Sequence, residues 1–228
     1  DSGLLGQTWD WCRELEGLVT VLQVTLEDGH QLLTVTEPGI LAKIGLSSAG
    51  VGVCLNFLAA PRRQDGAPIH TLLREALEAR SMAQAINRLR QAGTGRGGNI
   101  LLVAERGDAA NFEIAGDPVC ESAVKTVFCH TNHCLFSQVP AGVMDANSMA
   151  RYTRANELLA ALQNPDLGSI MTILSDQSDA ESPICAPYQT VFGLDMGTLC
   201  TVVMDIPQRR LYLRGGASPD KEFAMYAL

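Results

Sequence analysis

Gly17-Leu-Val-Thr-Val-Leu-Gln-Val-Thr-Leu-Glu-Asp28-Gly29-His-Gln-Leu-Leu-Thr-Val-Thr-Glu37 reads as two strands and the turn that joins them. The Val, Leu and Thr of both arms suit a pleated, half-buried surface, and Asp28-Gly29 readily takes the positive φ angles of a tight hairpin. A second pair follows at once, residues 39–46 and 51–58, about Ser47-Ser48-Ala49-Gly50. Its small residues let neighbouring backbones approach closely. Both runs are apolar at nearly every position, the pattern of strands covered on both faces.

Further along, the period changes. Ile69, Leu72, Leu73, Ala76 and Leu77 recur at helical spacing, and Met82, Ala85, Ile86 and Leu89 do so again. Ser81 and Gln84 have the spacing of a capping box, and Gly93 suits the helix exit. Strand patterns resume over 99–104 and 111–114 about Gly107-Asp108, and again over 119–129. Residues 148–162 form a helix ended before Pro165, a short helix covers 169–175, and 176–196 reads as a long irregular stretch. The pairs 199–205 and 210–213 make a last hairpin around Pro207. Strand blocks alternating with helix pairs fit two sheets packed face to face with helices outside, an α+β architecture. With no repeat or linker, residues 1–228 read as one domain.

Composition narrows the function. Hydrophobic residues make up 46% and charged residues 18%, enough for a real core. A net charge of −8, with Arg62-Arg63 and Arg209-Arg210 as isolated doublets, excludes the clustered cations that nucleic-acid binding requires. Apolar runs are broken well short of the roughly 20 residues that span a bilayer, so no membrane partner is expected. Seven cysteines without a Cys-x-x-Cys pair point to a reducing compartment, with the cytoplasm as the expectation.

Cys129-His130-Thr131-Asn132-His133-Cys134 is the densest group of functional side chains. On a strand, alternation would send His130 and His133 to opposite faces, so no metal is expected there; the two imidazoles read as structural or substrate-lining. Gly6-Gln7-Thr8-Trp9-Asp10-Trp11 sets one carboxylate between two indoles. Asp10 either caps a turn or meets an amine or thiol in a low-dielectric setting. The long stretch 176–196 carries Tyr188 and Phe192, which are expected to border a substrate pocket. Cys12, Cys54, Cys120, Cys185 and Cys200 read as ordinary packing cysteines.

The segments Gly6 to Trp11, Gly45 to Val51, Leu55-Asn56-Phe57 and His130 to Cys134 resemble, in that order, segments of the acyl-coenzyme A:6-aminopenicillanic acid acyltransferase family. The resemblance runs from Leu4 nearly to Leu228, including Ser182-Pro183-Ile184-Cys185. More distantly, the first and third segments are similar to choloylglycine hydrolases and penicillin V acylases. The resemblance implies a four-layer αββα sandwich, the N-terminal-nucleophile hydrolase fold. It implies a precursor that cleaves itself to expose a cysteine whose own α-amine serves as base, with the released small chain as a possible partner. Asp10 then matches the aspartate near that cysteine, Asn132 an oxyanion-hole asparagine, and Asn56 a second polar group. An acylated small molecule is the implied substrate, and no cofactor is implied.

Two departures accompany this resemblance. The family places an arginine before Gly197-Thr198-Leu199, where Asp195 and its neighbours stand here. The family cysteine corresponds to a position one short strand and a turn before Gly6, so residues 1–228 are expected to be the mature large chain without its first residues. The competing readings are a binding-only descendant of the same fold and an unrelated scaffold, for which Asp10, Asn56 and Asn132 would not converge.

Overall fold

A computed structural model describes residues 3–59, 66–91, 97–115, 119–124, 127–137 and 145–228. Its first half runs β1 (Leu4–Cys12), a 3₁₀ turn (Arg13–Leu18), β2 (Thr20–Thr25), β3 (Gln31–Thr36), β4 (Ile44–Ser47), β5 (Val51–Phe57), α1 (Ile69–Leu77) and α2 (Met82–Gln91). Then come β6 (Gly98–Ala104), β7 (Ala109–Ile114), β8 (Cys120–Ala123), α3 (Asp145–Ala160) and α4 (Leu167–Ile173). The chain closes with β9 (Gln189–Val191), β10 (Leu194–Asp205), β11 (Arg210–Gly215) and β12 (Ala224–Ala227).

Strands β2 to β8 pair in sequence order as a seven-stranded sheet, while β1, β10, β11 and β12 pair in that order with β9 joined to β10. All the pairings are antiparallel. The hairpin that opens the larger sheet turns through Gly29 at φ 84°, and pairs Val24 with Leu32.

Strand alternation explains why the middle strands are apolar throughout. Leu32, Val51, Val53, Ile100 and Leu102 point to one side, where they bury against Leu72, Leu73, Ala76 and Leu77 of α1 and Leu89 of α2. Leu33, Val35, Cys54 and Val103 point to the other side and meet Leu5 and Trp9 of β1 and Cys200, Val202 and Met204 of β10. Close approach matters most at Gly45, where a Cβ would lie 2.4 Å from the Leu33 carbonyl oxygen. On the outer face of the smaller sheet, Gly6 leaves room for Leu174 and Ile170, which a Cβ would meet at 2.7 and 3.0 Å. Four layers result: α1 and α2, the larger sheet, the smaller sheet, then α3 and α4. Among the described residues no helix is long and apolar enough to cross a membrane.

Some sequence expectations need correction. The strand expected over 119–129 stops at Ala123, and residues 127–137 follow no regular structure. Alternation therefore has no strand to act on at His130 and His133. The stretch expected to be irregular over 176–196 contains β9 and the start of β10, and β12 had no clear signal. The Ser81 hydroxyl accepts from the Gln84 N–H at 3.2 Å, but Gln84 reaches back to the N–H of Arg80 at 2.6 Å, one residue earlier than a capping box requires. Gly93 lies outside the described residues.

Candidate active site

Among the described residues β1 pairs on one side only, with β10, through a register shift between Trp9 and Asp10. Its consecutive residues Gly3 to Thr8 all line one cavity of about 1010 Å³. Successive side chains of a strand point to opposite faces, so an unbroken run of lining residues means that the strand's unpaired edge faces the cavity. Cys54 and Asn56 of β5, Leu101 and Val103 of β6, and Ala155 and Leu159 of α3 form other walls. Gln7 ties this edge to the larger sheet: its amide donates to the Leu55 carbonyl, and its oxygen accepts from the Leu55 N–H at 2.9 Å.

Polar groups also line the cavity. Asn56, His130, Thr131 and Arg151 line it. Asn132 lies beside them: its Nδ2 donates to the Phe57 carbonyl at 3.1 Å, and its Oδ1 accepts from Arg151 Nη2 at 2.9 Å. Asp10 points to the same side of the smaller sheet and accepts a 2.6 Å bond from the Thr198 hydroxyl. Burial pushes the Asp10 carboxyl above its usual range, against the opposing pull of that hydroxyl and the charge of Arg151. Burial likewise lowers the Arg151 guanidinium, and Asp10 works in the opposite direction. Asn132 is thus bonded to Arg151 and to the carbonyl of the residue after Asn56, and Asp10 feels the charge of Arg151, while of the three expected residues Asn56 is the one that lines the cavity.

The 130–137 loop is built around a carboxylate. Glu113 of β7 is fully buried, and its oxygens accept from the backbone N–H groups of Leu135 (2.5 Å), Phe136 (3.1 Å) and Ser137 (2.6 Å). His130 Nε2 lies 3.0 Å from Glu113 Oε1, and its Nδ1 lies 2.7 Å from the Thr131 carbonyl. Burial raises the Glu113 carboxyl, but the bonds from His130 and the loop N–H groups outweigh it and hold the group down at about 2. His133 faces elsewhere, with Nδ1 2.8 Å from the Ser148 hydroxyl and its ring edge-on to Tyr152 at 5.4 Å. Ser148 also accepts from the Asn132 N–H at 2.7 Å, which fixes the loop on α3.

Tyr188 and Phe192 are not among the residues that line this cavity; from their stretch only Ile184 is. Tyr188 instead donates to Glu16 at 3.1 Å beneath the Arg13 guanidinium. Phe192, 87% exposed, sits at the tip of the β9–β10 hairpin with φ 51°. Asp195 accepts from Thr190 at 3.0 Å and contributes no cation, so Arg151 brings positive charge to the cavity from a different element. Sequence reading missed Arg151, Glu113 and Thr198. A helical arginine among polar neighbours and a strand threonine carry no local mark; for Glu113 the available signal was a carboxylate set between Phe112 and Ile114 in a strand. No disulfide joins the described cysteines; burial raises Cys129 to about 11 and Cys200 to about 12, which leaves both as thiols. Among the described residues no His, Cys, Asp and Glu cluster could hold a metal ion.

Two antiparallel sheets face to face between helix pairs form the N-terminal-nucleophile hydrolase fold. Solved structures share it: a variant of conjugated bile acid hydrolase from Clostridium perfringens superposes with a TM-score of 0.70 at 10% identity, covering 98% of this chain and 88% of that one. Penicillin V acylase from Agrobacterium tumefaciens gives 0.62 at 11% identity, over 96% and 80% of the two chains. The chain belongs to the acyl-coenzyme A:6-aminopenicillanic acid acyl-transferase family, whose profile matches residues 1–219. The 40 kDa form of acyl-coenzyme A:6-aminopenicillanic-acid-acyltransferase from Emericella nidulans is 28% identical over 235 residues. That match takes in 99% of this chain, which spans 65% of the relative's length.

Proposed function

We propose that the protein is a cysteine amidohydrolase or acyltransferase that cleaves or exchanges an acyl-amide or thioester bond through an acyl-enzyme. The observation that supports this best is the bond from Arg151 to Asn132, because Arg151 lines, together with Asn56, a cavity bordered by the edge of β1 and has Asp10 in electrostatic reach. An extended segment preceding β1 would pair with that edge, as any strand with free N–H and C=O groups invites. A cysteine at the head of such a segment, freed by self-cleavage of a precursor, would bring thiol and α-amine near Asp10.

In this reading the amine takes the thiol proton and Asp10 orients the amine. The sulfur attacks the acyl carbonyl carbon, and one Nδ2 hydrogen of Asn132 stabilises the oxyanion, with Asn56 as second donor. The C–N or C–S bond then breaks, the leaving group takes the proton from the amine, and water or an acceptor amine displaces the thiol. His130 supports the wall of the site through Glu113, and the piece released by self-cleavage is a candidate partner chain. The cytoplasm remains the proposed location.

Intact-mass measurement of the full gene product, followed by trapping with a thiol-directed acyl analogue, tests the reading. One acyl adduct on an N-terminal cysteine is expected. A mature protein without that cysteine and without an adduct would overturn it in favour of a binding-only protein. In the untrapped, self-processed enzyme, Asn132→Ala is expected to lower turnover by roughly 10²–10³ while remaining folded, the scale for losing one oxyanion donor.

A further inference from the structure

We propose that Arg151 is a positioning residue which fixes the orientation of the Asn132 carboxamide. The proposal rests on the reading of Asn132 as an oxyanion donor. A carboxamide has an accepting end and a donating end of nearly identical shape, and only the donating end can stabilise a developing oxyanion. A half-turn about the last side-chain bond would present Oδ1 instead, an acceptor facing negative charge. The site therefore needs a device that tells the two ends apart.

Arg151 is such a device, because a guanidinium has donors and no acceptor. Its Nη2 donates to Asn132 Oδ1 at 2.9 Å, so the oxygen is held on the α3 side. The other end is matched by an acceptor: Nδ2 donates to the Phe57 carbonyl at 3.1 Å, which uses one of its two hydrogens. The second hydrogen is left for substrate. Flipping the amide would place NH₂ against guanidinium and Oδ1 against a carbonyl oxygen, two repulsive contacts in place of two bonds. Arg151 is itself aimed by Asn147, one turn earlier on α3, whose Oδ1 accepts from Nε at 2.9 Å. The planar fork makes both bonds at once, which a lysine's single ammonium at the end of a flexible stem does not reproduce.

The test is a double-mutant cycle on the self-processed, full-length enzyme, with straight-chain acyl p-nitroanilides as probe substrates. Arg151→Met keeps the side-chain stem and removes the donors; it is expected to lower kcat by roughly 10²-fold while KM stays within about threefold. In an Asn132→Ala background the same change is expected to cost less than about threefold, because residues acting as a unit are not additive. Arg151→Lys keeps a cation beside Asp10 and is expected to lose roughly tenfold in kcat, less than the methionine variant, because it supplies a donor but no fork. Wild-type turnover in either folded Arg151 variant overturns the proposal, so the test does not depend on the methionine variant folding. Losses that multiply in the double variant also overturn it, since Arg151 would then act independently of Asn132. Full turnover in Asn132→Ala alone removes the oxyanion reading and this proposal with it, an outcome distinct from multiplying losses.

Discussion

Replacing Glu113 by Gln isolates one buried carboxylate on which a whole loop depends. The wild-type side chain accepts from His130 Nε2 and from three successive backbone N–H groups at 135–137, and is fully buried. A glutamine fits the space but offers one accepting oxygen, and its NH₂ must face a donor. Hydrogen bonds to a charged group contribute about 1.5–3 kcal/mol each, and the substitution removes the charge and leaves buried donors facing an NH₂, so a loss of about 3–5 kcal/mol follows. The acid side gives a separate figure: the carboxyl is held at about 2 against an ordinary 4.5, a difference worth about 3 kcal/mol. The group is depressed in the folded state, so its contribution is complete above pH 4.5 and is lost as pH falls from there towards 2. Urea unfolding of both proteins should therefore show a difference of about 3–5 kcal/mol at pH 7 that shrinks steadily below pH 4.5. The thermal midpoint at pH 7 should fall by roughly 6–20 °C, at about 2–4 °C per kcal/mol for a chain of this size. A loss below about 1 kcal/mol, or a difference that stays constant through the acid range, would refute the claim that this carboxylate is ionised and holds the loop.

Asp10→Asn should raise stability at neutral pH while abolishing turnover. Burial raises the wild-type carboxyl, so its ionisation opposes folding as pH climbs from 3.8 through the folded-state value, and an amide that keeps the Thr198 bond is spared that cost; melting curves across pH read the effect. Gly45→Ala should cost several times more stability than Gly6→Ala, because its Cβ meets the fixed Leu33 carbonyl at 2.4 Å, whereas Gly6 meets the flexible ends of Leu174 and Ile170; paired denaturation curves decide. Phe192→Asn should stabilise by about 1 kcal/mol, since φ 51° suits asparagine and the ring is 87% exposed, and a changed acyl-chain preference in that folded variant would show that the hairpin tip meets substrate.

The difference between what was legible in the sequence and what was not follows from how far each cause reaches along the chain. The hairpin about Asp28-Gly29 and the helix pair at 69–91 depend on periodicity and turn chemistry within a few residues, and both formed where expected, because local preference and burial agree there. The 119–129 run failed because its apolar residues look like a strand, yet beyond Ala123 the chain leaves the sheet for a carboxylate on β7. That preference is satisfied at Glu113, between 17 and 24 positions away, and period-two alternation holds no trace of it. The site divides in the same way. Asp10, Asn56 and Asn132 could be named because each sits in a short segment that resembles one of the family's. Thr198 is 188 positions from Asp10, and Arg151 is 19 from Asn132 on an ordinary amphipathic helix, so neither has a sequence neighbour that gives its purpose away. Groups expected to touch substrate were therefore visible one at a time. The groups that aim them became visible only when the fold had set donor against acceptor, and this is why the orientation of a single amide, absent from any motif, becomes the most specific chemical claim that the site supports.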